Sequence, residues 1–275
     1  MNNKGPGFFS DIGKLAKDIL YKDYCYDRKI SVTTQTAEGL ALTSTALQKG
    51  SHSIGDVTAQ FKYKNAAFDV KVDTQSNIAT TLKLTDIVPS VTSIASLKLP
   101  DLNSAKVEVQ YVQDHATVVS SVSMKKSLIF DISATCGTTT VFGVDTSYDT
   151  FIGDFTKYNV GISMKKPDVC TTVTLADKGD LLTASYVHHV DQARTTTVVE
   201  FTNRFSEDGN TLTVGGSYDF DDSTLMKLKL DNQGNFGALL KHEIRPKTIL
   251  TMAAEFDYNS IDTCPKFGLS LALTP

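Results

Sequence analysis

His188 and His189 are the residues of this chain whose types could bind a metal or move a proton, and Asp221-Asp222 is the pair that could divide acid and base roles. Neither pair has the arrangement its chemistry needs. Adjacent residues of a strand point to opposite faces, so the two imidazoles cannot converge on one ion from there. An acid/base couple needs a convergent third group, and none can be named beside Asp221-Asp222, which reads as a solvated turn. Cys25, Cys136, Cys170 and Cys264 are scattered singly, with neither a C-x-x-C pair nor a disulfide framework, and read as reduced or incidental. There is no G-x-x-x-x-G-K-[ST] loop, no G-x-S-x-G elbow and no H-E-x-x-H. The expectation is a protein that is not an enzyme and that uses no metal or cofactor.

The elements that would carry such residues are strands. From about Lys29 onward the dominant signal has period two. Phe68, Val70 and Val72 alternate with Asp69, Lys71 and Asp73, and Val107, Val109 and Tyr111 alternate with Lys106, Glu108 and Gln110. Met226, Leu228 and Leu230 alternate with Lys227 and Lys229. Leu250, Met252, Ala254, Phe256 and Tyr258 alternate with Thr251, Ala253, Glu255 and Asp257, a register of about nine residues, the length of a tilted membrane-spanning strand. Turn signals recur at Lys49-Gly50, Asp177-Lys178-Gly179-Asp180, Glu207-Asp208-Gly209-Asn210 and Asn232-Gln233-Gly234-Asn235. Counting runs predicts about nineteen antiparallel strands, with no composition shift to divide them.

So long a meander must hide its edges, and closure into a barrel removes them altogether. A barrel of this size encloses water, which puts one face of each strand on a channel. The expected lumen charges are then Lys62, Lys64, Lys71, Lys106, Lys227, Lys229, Asp69, Asp73, Glu108, Glu255 and Asp257. A soluble double sandwich would alternate too, with charges outside, and alternation alone does not choose between them. Strand length and the missing domain break favour the membrane barrel. Trp is absent, so Tyr must supply any aromatic girdle.

Ahead of the strands, Pro6 to Tyr24 carries a helical pattern of roughly three turns. Phe8, Ile12, Leu15 and Ile19 form its apolar stripe, while Asp11, Lys14, Lys17 and Lys22 supply charge. The stripe is the expected docking face. Ser10 or Asp11 can cap the first turn, and Gly13 weakens the middle. A mitochondrial presequence is a poor reading, because the segment has no Arg and carries Asp11, Asp18 and Asp23.

Totals are permissive. The 275 residues are 41% hydrophobic with a mean hydropathy of -0.12, which suits a soluble protein or a barrel with a polar lumen. A net charge of -4 and the absence of any such motif argue against a nucleic-acid binder. No run of about eighteen apolar residues occurs, so no membrane-spanning helix is expected.

Several strings in order along the chain resemble one family. Lys4-Gly5-Pro6-Gly7-Phe8-Phe9-Ser10-Asp11-Ile12-Gly13-Lys14 to Leu20-Tyr21-Lys22-Asp23-Tyr24 is similar to the opening of voltage-dependent anion channels, the mitochondrial porins, and most like the plant branch. Lys98-Leu99-Pro100-Asp101, Glu108-Val109-Gln110-Tyr111, Asp177-Lys178-Gly179 and Arg245-Pro246-Lys247 match plant landmarks. Tyr218 to Ala238 resembles the eukaryotic porin signature, with Leu228 where a small residue is usual. Lys266, Gly268, Leu271 and Leu273 fit the family's sorting signal.

The resemblance implies one porin domain over 1-275: a helical segment at 1-24 inside the pore and an all-β, membrane-spanning barrel of about 19 strands at 25-275. It implies a voltage-gated channel of the mitochondrial outer membrane, or a plastid membrane, that passes ions, ATP, ADP and other mainly anionic metabolites. Lipid bilayer, transported ions and nucleotides, a homo-oligomer and a docked cytosolic kinase are the implied partners. Two features depart from the family. Its Gly-Leu-Lys motif, linked to nucleotides, is missing near Ser90-Val91-Thr92, and the acidic total weakens the case for strong anion preference. The alternatives are a protein-import pore of the same superfamily and a soluble ligand-binding β-barrel.

Overall fold

The computed structural model describes all residues except 1–4, 37–38, 51, 87, 126, 191–193, 208, 260–264 and 275, so Lys4, Asp208 and Cys264 lie outside the described residues. The first six strands are β1 (Arg28–Gln35), β2 (Leu40–Lys49), β3 (His52–Tyr63), β4 (Ala66–Asp73), β5 (Ile78–Thr85) and β6 (Val91–Leu99). Next come β7 (Lys106–Val112), β8 (Ala116–Met124), β9 (Leu128–Gly137), β10 (Thr140–Asp149), β11 (Asp154–Lys165), β12 (Val169–Ala176) and β13 (Leu181–Val190). The chain ends with β14 (Thr195–Arg204), β15 (Gly209–Asp221), β16 (Thr224–Asp231), β17 (Asn235–Arg245), β18 (Thr248–Asp257) and β19 (Lys266–Leu273). Each strand pairs antiparallel with its neighbour in sequence, and β1 pairs with β19 to close the 19-stranded sheet into a barrel. That closing seam is parallel, with Arg28 opposite Leu269 and Val32 opposite Leu273. Parity forces it. In a meander every second strand reverses, so the first and nineteenth run the same way.

The two faces differ as alternation requires. In β11, Tyr158, Val160, Ile162 and Met164 are exposed, whereas Asn159 and Ser163 between them are buried. In β9, Phe130 and Ile132 are exposed and Thr135 is buried. Bare apolar side chains on one face and covered polar ones on the other invert the soluble pattern, because the solvent of the first face is hydrocarbon. The barrel is therefore embedded in a membrane by its strands; no helix among the described residues is long and apolar enough to cross one. Rings collect toward the barrel ends, as a girdle requires: Tyr218 meets Phe220 at 4.7 Å and Phe256 meets Phe267 at 5.7 Å.

The expected three-turn helix is broken. A 3-10 turn covers Phe9–Asp11, and the α-helix α1 covers only Lys14–Leu20. Gly13 separates them at φ 77°, a left-handed conformation that ends one helix and starts the next. The sequence pattern makes Gly13 a weak helical position, but in the fold its freedom is used to turn the chain.

Candidate functional site

The N-terminal segment lies along the polar face of the barrel wall, and that contact is the candidate site. It begins where the Thr135 hydroxyl donates to the carbonyl of Gly7. Asp11 steadies the first turn by accepting the Phe8 amide at 2.9 Å and pairing with Lys14 at 3.2 Å.

Glycines in the wall make the room. An ideal Cβ on Gly143 would stand 2.7 Å from a ring carbon of Phe9 and 2.8 Å from Ile12 Cδ1, and one on Gly161 would press on Ile12 as well. A Cβ on Gly215 would stand 2.5 Å from Leu20 Cδ2. Interior strand glycines marked by close approach are thus notches for Phe9, Ile12 and Leu20. Between them Ala16 and Leu20 are fully buried in a cluster with Cys170, Val187 and Val198, flanked by Ile19.

The buried stripe is accordingly Ile12, Ala16 and Leu20, at steps of four, rather than Phe8, Ile12, Leu15 and Ile19. Leu15 is 42% exposed, Phe8 and Ile19 are half-buried, and Ile12 is buried. The turn at Gly13 rotates the α-helix relative to the residues before it, so no single helical wheel applies to both. Lys14, Lys17 and Lys22 lie on the exposed side, with Lys22 3.9 Å from Asp18.

Polar contacts fix the other end. Lys227, itself buried, donates from Nζ to the carbonyl of Asp18 at 2.7 Å, placing a cation at the helix C-terminus, where the carbonyls are unpaired and the dipole is negative. The Tyr21 hydroxyl donates to Glu200 Oε1 at 2.6 Å. Burial first, then Glu200, pushes its pKa up from 10.0 to about 12, so it stays a neutral donor. Tyr24 is pushed to about 12 by burial, and Tyr26 is raised by burial and by Glu255. The Lys229 ammonium sits over both the Tyr21 and Tyr24 rings, at 5.4 and 4.6 Å. Glu255 pairs with Lys266 at 2.9 Å and lies 4.0 Å from Lys229. Gly268 completes the seat: an ideal Cβ there would overlap the Cys25 carbonyl, so the linker passes directly over β19.

The remaining charges expected in a lumen fall in several places. Lys71 pairs with Asp56 at 3.3 Å and Lys106 with Glu108 at 2.9 Å, while Asp69 accepts from Gln60. Lys62 opposes Ala67, in the same alternation as Asp69. Lys64 is in the turn after β3, with its ammonium over the Tyr63 ring, and not on a strand face. Asp73 and Asp257 end their strands and accept turn amides from Gln75 and Asn259. Ser90, where a Gly-Leu-Lys motif would start, is in the turn before β6. Leu271 and Leu273 of the sorting signal lie on the apolar face, opposite Ile30 and Val32 of β1.

Sequence reasoning missed Glu200, and it missed Asp131, which accepts from Ser121 and Ser147. Both follow the alternation and could have been found by extending it. The glycine notches were also legible, as the single Gly143 and Gly161 and the Gly215-Gly216 pair within strand runs.

With this geometry in view, comparison with known proteins is specific. The eukaryotic porin family profile matches residues 5–268. Mitochondrial outer membrane protein porin 2 of Arabidopsis thaliana is 53% identical over 275 residues, covering 99% of this chain and 100% of that protein. Mitochondrial outer membrane protein porin 5 of Oryza sativa subsp. japonica is 49% identical and covers 100% of both chains. The outer plastidial membrane protein porin of Pisum sativum is 43% identical, covering 99% of each. A mutant of Rh. blastica porin shares the fold at a TM-score of 0.50 with 8% identity, over 84% of this chain and 90% of that one. A profile match over almost the whole chain, full-length relatives and a closed 19-stranded wall agree: the chain belongs to the eukaryotic porin family, whose members are channels and not enzymes.

Proposed function

We propose that the polar face lines an aqueous lumen, that the N-terminal segment lies within it, and that the protein passes ions and small metabolites, ATP and ADP included, by diffusion. The single observation that carries this reading is the inverted barrel, apolar where bare and polar where the segment docks. The protein resides in the mitochondrial outer membrane, like the relatives it matches at full length, and the pea protein extends that setting to the outer plastidial membrane.

Selectivity is weak and favours anions. Lys71, Lys106 and Lys229 are matched by Asp56, Glu108 and Glu255 on the same face, so the wall's own field largely cancels. In the segment Lys14 and Lys22 are matched by Asp11 and Asp18 in the same way, and the exposed Lys17 tips the balance. The docked segment also supplies a voltage-responsive element, since moving one charge through 100 mV is worth ~2.3 kcal/mol, comparable with the contacts that hold it.

Reconstitution of the full chain in a planar bilayer with a salt gradient tests this. The expected result is stepwise conductance, a small reversal potential of the anionic sign and closure at higher voltage of either sign. Absence of conductance from folded protein, or strong cation preference, overturns it.

A further inference from the structure

The apolar face carries one groove with a charged mouth. A row of paired residues runs from Arg28 of β1 through Leu269, Met252 and Leu240 to Met226 of β16. In the next row Ala254 and Ala238 are neighbours, set between Phe267 and Leu228. Two short side chains between two large ones leave a recess of about 600 Å³, almost wholly apolar apart from Arg28.

Arg28 also borders a second recess of about 270 Å³ at the barrel rim, lined by Tyr26, Asp27, Gln48 and Gly50. Its side chain is exposed and makes no ion pair or hydrogen bond among the described residues. The groove therefore has a polar head, in which the unpaired Arg28 guanidinium shares the rim recess with Asp27, and a long apolar body. It also slants across the membrane: Arg28 is the first residue of β1, Met252 is midway along β18, and Met226 is third in β16, which starts from the opposite rim. Four inter-strand steps of ~4.8 Å give a length of roughly 19 Å. Half of the hydrocarbon core is ~15 Å deep, so a slanting acyl chain fits that length.

We propose that this groove holds one phospholipid of the surrounding bilayer, with an anionic headgroup at Arg28 and an acyl chain over Ala254 and Ala238. The inference rests on the reading of this face as lipid-facing. A zwitterionic lipid offers its phosphate together with a competing ammonium, whereas an anionic one leaves a net counter-charge for the guanidinium, and a second barrel packed here would desolvate it unpaired.

The test uses the full chain folded into phosphatidylcholine vesicles doped with phosphatidylglycerol that carries a diazirine on its acyl chain. Diazirine-phosphatidylcholine runs in parallel. After irradiation, the anionic probe should label peptides containing Met252 and Leu240 about fivefold more than those of β7 and β8, the factor for one cation at an anionic surface. Arg28→Gln should reduce that label to the level of the zwitterionic probe, and Ala254→Phe, which fills the floor, should abolish groove labelling by both. Even labelling around the wild-type barrel, or an unchanged pattern in Arg28→Gln, overturns the proposal. So does efficient barrel-to-barrel crosslinking through Ala254→Cys, which would give the groove to a second copy. Conductance of the same preparations is read separately, so a failed lipid site is distinguished from a failed channel.

Discussion

Leu20→Ala, set against Leu15→Asp, tests how the N-terminal segment is held. Leu20 is 0% exposed and fills the notch at Gly215, whereas Leu15, on the same helix, is 42% exposed. Burying Ile12 and Leu20 contributes ~1.5 to 3 kcal/mol each to docking. Truncating a fully buried Leu to Ala removes ~2 to 5 kcal/mol, and even the lower figure shifts the docking equilibrium constant roughly thirtyfold. The direct assay is hydrogen exchange at the amides of Lys17 and Tyr21, which donate to the carbonyls of Gly13 and Lys17. Leu20→Ala should cut their protection at least about thirtyfold and move the voltage at which conductance halves. Leu15→Asp should change either readout by less than about threefold, below ~1 kcal/mol, as for other exposed sites. Equal or larger effects at Leu15 would refute a docking face built on Ile12, Ala16 and Leu20.

Gly143→Ala should loosen Phe9 and Ile12 without opening the sheet, seen as exchange at the segment's amides with strand protection intact. Lys227→Met should leave the Asp18 carbonyl without its cation and destabilise docking by ~1 to 3 kcal/mol, read by the same exchange. The Tyr21 hydroxyl gives a pH dependence of known sign. Its pKa is raised on docking from 10.0 to about 12, so its contribution is complete below pH 10 and is lost as pH rises toward 12; Tyr21→Phe should flatten that decline, followed by tyrosinate absorbance together with exchange.

The strands are legible because alternation is a local property: Val107 to Tyr111 or Leu250 to Tyr258 shows its two faces without knowledge of any partner, and the turns sit where Gly and Asp cluster. The segment is less so. A stripe read through Gly13 assumes a continuous helix, and Ala16, fully buried, is too small to weigh in a hydrophobic pattern. Lys227 is legible as a charge on the polar face, but its partner, the end of a helix more than two hundred residues away in the chain, is not. Contacts of that range depend on barrel closure and on which strands the segment reaches, neither of which a local pattern encodes.

The parallel seam joins the two ends of the sheet. β1 has no partner for one edge until β19, translated after the other eighteen strands, arrives beside it. The linker at Cys25 and Tyr26 lies so close over Gly268 that a methyl group there would overlap it. In the closed wall the final strand therefore runs directly beneath that linker. Gly268 is the clearance between them, and an alanine in its position would hinder closing the wall with the linker in this place, even in a refolding mixture that contains no sorting machinery.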